Sequence, residues 1–94
     1  MIPPTLSCAR ALRDGGIDAV AALNDALRAA LVDLSPESER DLKREFGQAM
    51  ATVLDITVNP AVHAFPELNP DEATWTEVAK ARARARGAAP NDPQ

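Results

Sequence analysis

Between Ile17 and Leu34 the bulky residues recur at the spacing of a helix. At about 100° per residue, Ile17, Val20, Leu23, Leu27, Ala30, Leu31 and Leu34 share one stripe, while Asp18, Ala22, Asp25, Ala29 and Asp33 lie on the other side. A stripe of this width must be set against another apolar surface, and the next residues supply one. Ser35-Pro36-Glu37 joins an N-cap hydroxyl, a proline at the first helical position and a carboxylate at the positive end of the dipole. The helix that follows is expected to run to about Val58, with Leu42, Phe46, Ala49, Met50, Val53 and Thr57 on one face and Arg40, Asp41, Arg44, Gln48 and Asp55 on the other. Two such helices joined by a short connection predict a central antiparallel helical hairpin.

Nothing in the chain alternates with a period of two, and tyrosine is absent, so no strand is expected. The fold class is therefore all-α, a small bundle of three to four helices. A short first helix is predicted from about Pro4 to Asp14, with Leu6, Cys8, Ala9 and Leu12 as its apolar content and Gly15-Gly16 as its stop. Beyond the hairpin, Asn59-Pro60 is read as the end of the third helix. Val62, Phe65 and Leu68 then recur every third residue, the pattern of one irregular turn pressed on the core. Asn69-Pro70-Asp71-Glu72 repeats the start signal with Glu72 at the capping-box position, and the fourth helix is expected to reach Arg86 and end in a left-handed cap at Gly87. This gives a single helical domain over residues 1–87 and a disordered tail over 88–94.

Composition sets the margin of such a fold. Of 94 residues, 46% are apolar, but 19 of these are alanine and only 23 are bulky core formers. The core must be thin, and helix packing, caps and a partner surface are left to supply stability.

Several functional classes are set aside by what is present. The single cysteine, Cys8, has no disulfide partner and sits on the apolar side of the first helix, which suits a buried thiol in a reducing, cytoplasmic setting. Met1-Ile2-Pro3-Pro4 lacks the basic and apolar regions of a signal peptide, and Asn24 and Asp25 interrupt the best candidate for a membrane span. His63 and Glu67 stand four apart as potential metal ligands, but zinc takes three or four. The carboxylates fall in first turns (Glu37, Glu39, Asp71, Glu72) or on wet faces, and Gly15-Gly16 lacks the further glycines and lysine of a phosphate cradle. No catalytic, cofactor-binding or metal-binding residue is assigned, and enzyme activity is not expected.

Charge is uneven. Residues 1–79 hold 6 basic and 13 acidic side chains, net −7, against net +3 for residues 80–94. An acidic body repels nucleic acid over most of its surface, and proteins are the expected partners. The DNA-binding alternative rests on Leu42 to Leu54, which has the outline of a helix-turn-helix with its turn at Gly47, and on the arginine-rich end of the last helix. The would-be recognition helix, Met50 to Val58, has no arginine, lysine or asparagine and contains Asp55. Gly47 inside one long helix, permitting a close neighbour or a kink, is the competing reading. In the basic end, Arg82 and Arg86 point one way and Lys80 and Arg84 nearly the opposite, which reads as a solvated helix end whose charges suit the dipole; contact with an acidic partner or with the chain's own acidic body is the other reading.

The sequence thus favours a non-catalytic protein–protein interaction module, a small acidic adaptor, inhibitor or antitoxin-like protein. Trp75, Val78 and Arg82, the one partly apolar stripe of the fourth helix, are its expected partner-binding residues. Burying two large side chains contributes about 3–6 kcal/mol, against about 1 kcal/mol or more per ordered residue along the helix. A second copy of the chain is the expected source of the missing surface, as a homodimer.

Overall fold

The computed structural model describes residues 2–87, and the expected tail at 88–94 lies outside the described residues. They form a small all-α bundle: α1 (Leu6–Ala30), α2 (Pro36–Ile56), α3 (Val58–Ala64), a 3-10 turn (Pro66–Leu68) and α4 (Glu72–Gly87), with no strand among them. α1 packs against each of the other three helices, and α2 also meets α3.

The first two expected helices are one. α1 starts at Thr5, whose hydroxyl accepts the Cys8 N–H at 3.0 Å, and runs through Gly15 and Gly16 without a stop. Glycine ends a helix by adopting positive φ, and no described glycine does so. Gly16 is instead a contact. A Cβ built there would meet the Thr57 hydroxyl, lie 2.7 Å from Thr57 Cβ and 3.0 Å from Val58 Cγ2, so only glycine lets the start of α3 approach this closely. The helix ends at Ala30 rather than Leu34. Leu31 N–H donates to the Leu27 carbonyl, and the chain turns through Asp33 at φ 65, a conformation that aspartate tolerates better than most residues.

α2 begins as expected: Ser35 Oγ accepts the Ser38 N–H at 3.2 Å, with Pro36 at the first position. It passes Gly47 unbroken, and nothing lies within 4 Å of a Cβ there. Leu42 to Leu54 therefore contains no turn, and Gly47 brings no neighbour close. The helix breaks at Thr57, just ahead of Asn59-Pro60. Thr57 takes φ −125 and ψ −77, and its hydroxyl donates to the Val53 carbonyl at 2.5 Å. Asn59 and Pro60 fall in the first turn of α3, where a missing N–H costs no helical hydrogen bond. The segment read as one irregular turn is thus a short helix and a 3-10 turn, separated by Phe65 at φ −136 and ψ 87.

The core lies at this end of the molecule. Ala9, Ala61 and Leu68 form a buried cluster flanked by Leu6 and Phe65, and Ile17 and Val58 are buried beside Gly16. Val62 is half-buried. Arg13, whose side chain is 13% exposed, ties the 3-10 turn to α1: its Nη1 donates to the Leu68 carbonyl at 3.3 Å, and its Nε to Asp14 Oδ1 at 2.9 Å. Neither α2 nor α4 buries a residue.

Candidate interaction surfaces

Two regions outside the core combine apolar surface with organised charge. The first is the far end of the α1–α2 pair. Past Ile17, the stripe of α1 is never fully covered: Val20, Leu23, Leu27 and Leu31 are half-buried, and Ala30 and Leu34 are exposed. Leu42, Phe46, Met50 and Val53 of α2 are likewise half-buried. Two helices lying side by side close only the seam between them, and a third layer is needed to bury its rims. At the turn between them, Leu34 and Leu42 floor an open groove of about 310 Å³ walled by Ser38, Asp41 and Glu45. Val32 is 66% exposed close by, and Ile56 is 60% exposed at the other end of α2.

The second region is the contact of α1 with α4. α4 is started by Asp71 rather than Asn69: its Oδ1 accepts the Thr74 N–H at 2.7 Å and its carbonyl accepts the Trp75 N–H at 2.9 Å. The hydrogen bond from the Thr74 N–H holds the Asp71 carboxyl below the usual carboxylate range. Trp75, Val78 and Ala79 are the half-buried side chains of the helix after its first turn. Further along, Arg86 Nη1 donates to Asp18 Oδ2, and Arg82 Nε lies 3.6 Å from the same oxygen. The hydrogen bond from Arg86, reinforced by both positive charges, lowers the pKa of Asp18 against the opposing effect of its burial. Between the helices lies a cleft of about 280 Å³, lined by Ala21, Ala22 and Asp25 of α1 and by Ala79, Lys80 and Ala83 of α4.

Of the residues expected to bind a partner, Trp75 and Val78 are therefore half-buried and Arg82 is paired within the chain. Arg82 and Arg86 do share one direction, and the acidic body they meet is the chain's own. The residue that sequence reasoning missed is Asp18, assigned to the wet side of its helix. A signal for it exists. Asp14, Asp18, Ala21, Ala22 and Asp25 make an acid-and-alanine stripe on α1, and Ala79, Arg82, Ala83 and Arg86 make its basic counterpart on α4.

The remaining candidates are scattered. His63 and Glu67 are both exposed, on α3 and the 3-10 turn, and Cys8 is half-buried in the first turn of α1. Among the described residues, no group of three or more His, Cys, Asp or Glu side chains is arranged to hold a metal, and no helix is long and apolar enough to cross a membrane. Set beside family models, curated proteins and solved structures, the chain matches none.

Proposed function

We propose that this chain is a non-catalytic protein–protein interaction module, a small acidic adaptor or an inhibitor of antitoxin type, that docks through a helix face. One observation carries the reading: past Ile17, no apolar side chain of α1 or α2 is buried. Full burial of a leucine or phenylalanine contributes about 1.5–3 kcal/mol, so a partner seated on the rim of the seam gains about half of that for each half-buried side chain it covers. Asp41 and Glu45 flank the apolar floor of the groove, an arrangement that steers a basic surface toward it. A cytoplasmic setting belongs to the same reading, because a lone half-buried thiol suits a reducing compartment.

The test is capture of a partner with the full chain, followed by reconstitution from purified proteins. The exposed pair Val32→Glu and Leu34→Glu is expected to weaken the complex tenfold or more, about 1.4 kcal/mol, with the circular dichroism spectrum unchanged. A complex indifferent to both changes would move the site elsewhere. Retention of the pure chain on duplex DNA, falling steeply with salt, would replace the reading with nucleic-acid binding.

A further inference from the structure

α4, like α2, buries no residue, and α1 is the helix it packs on. Its far half is attached by Arg82 and Arg86 on Asp18, beside a cleft lined by four alanines and four charged side chains and by no large apolar one. It also carries its own start, because the Asp71 carboxylate caps it from within; lifting α4 away costs none of the hydrogen bonds that begin the helix. The link to the rest of the chain is Asn69-Pro70. Asn69 is extended at φ −60 and ψ 113, as a residue before proline prefers, and the proline ring fixes φ in the same extended range.

We infer that α4 is an exchangeable arm, and that the partner for the α1 face bearing Asp18, Ala21 and Ala22 is the α4 of a second copy of this chain. The inference rests on the reading of the chain as an interaction module but uses a different surface. Every contact α4 makes on its own α1 is available on a second α1 by identity, so exchange alters only the path of Asn69 and Pro70. Charge selects this mode over face-to-face docking of two α1–α2 pairs. Residues 18–56 carry 8 acidic and 4 basic side chains, and two such surfaces repel, whereas exchange sets Arg82 and Arg86 against Asp18 in both halves of the dimer. The own-chain contact competes at an effective concentration of about millimolar for a short link, so the dimer population rises steeply with protein concentration.

Charge reversal separates the two paths. In Asp18→Arg, and in the double variant Arg82→Asp with Arg86→Asp, α4 is repelled by its own α1, and two copies of the same variant repel equally. Mixed in equal amounts, the two variants restore both contacts only by exchange. Light scattering behind a sizing column is expected to show each variant at monomer mass and the mixture at dimer mass, with the wild type shifting toward dimer as it is concentrated to millimolar. The chain carrying all three changes restores the contact internally and reports whether the reversed charges permit folding. If that chain is folded and the mixture stays monomeric, the exchange is overturned while the groove of Leu34 and Leu42 remains untouched as a docking site. A dimer formed by Asp18→Arg alone would overturn it in favour of face-to-face association, and a wild type monomeric at every concentration would overturn it for the native chain.

Discussion

The two ends of α1 are packed in opposite ways. Around Ala9 to Ile17 the helix is met by α3 and the 3-10 turn, and half of the buried residues are small: Ala9, Gly16 and Ala61 lie beside Ile17, Val58 and Leu68. Beyond Ile17 the helix carries Val20, Leu23 and Leu27, and α2 adds Leu42, Phe46 and Met50, yet none of these is buried. Most of the bulk of the chain sits where packing is loosest. Burial follows how closely backbones approach and how many layers meet, not the size of the side chains at the contact.

The sharpest measure of this contrast is truncation on each side of it. Ile17→Ala, at a fully buried site, is expected to cost about 2–5 kcal/mol, whereas Leu27→Ala should cost less than half as much; urea denaturation of both variants gives the comparison. Equal costs would mean that the α1–α2 seam is as well packed as the core.

The adjacent glycines give the next effect, with opposite signs. Gly16→Ala drives a methyl group into Thr57 and Val58 and is expected to lose about 1–3 kcal/mol by overpacking. Gly15→Ala meets nothing within 4 Å and should gain about 0.5–1 kcal/mol from helix propensity. Thermal melts of the two variants should move in opposite directions.

Acid should then loosen the α4 side selectively. The Asp18 carboxyl lies below its ordinary pKa because of Arg86 and Arg82. Its contribution is therefore present above the unfolded value, about 3.9, and is lost as pH falls through the lower folded value. Asp71 responds in the same sense through its cap. Fluorescence of Trp75, the single tryptophan, is expected to change below about pH 4 before helicity collapses. In Asp18→Asn the part of that change due to the ion pair should be absent, leaving the part due to the cap.

The smallest effect is expected at His63, which is exposed on α3. His63→Ala should leave stability within about 0.5 kcal/mol of the wild type, as read by denaturant midpoint.

What was legible in the sequence is whatever is decided locally. Ser35 and Pro36 mark the start of α2 because an N-cap needs only its own turn, and the stripe of Ile17, Val20, Leu23, Leu27 and Leu31 faces inward because period decides face. Gly15-Gly16 and Asn59-Pro60 mislead for a common reason. Both look like punctuation when taken alone, and they are explained only by each other's surroundings: Gly16 is small because Thr57 and Val58 lie against it, and the helix breaks at Thr57 so that α3 can reach that spot. Asp18 looked solvated because its partners are 64 and 68 residues away in Arg82 and Arg86. Trp75, Val78 and Arg82 share one side of α4 by its period alone, since a helical wheel needs no knowledge of the neighbour.

α1 is the one helix that packs against all three others, and this has a consequence for the order in which the chain matures. During synthesis α1 and α2 are made before α3 and the 3-10 turn that bury the first half of α1. The growing chain therefore carries the first half of α1 uncovered until Val58, Ala61 and Leu68 arrive to close on Ala9 and Gly16. α4 comes last onto a spine already formed, so amide protons of α1 near Ile17 should exchange with solvent only through global unfolding, while those of α4 exchange through its separate release.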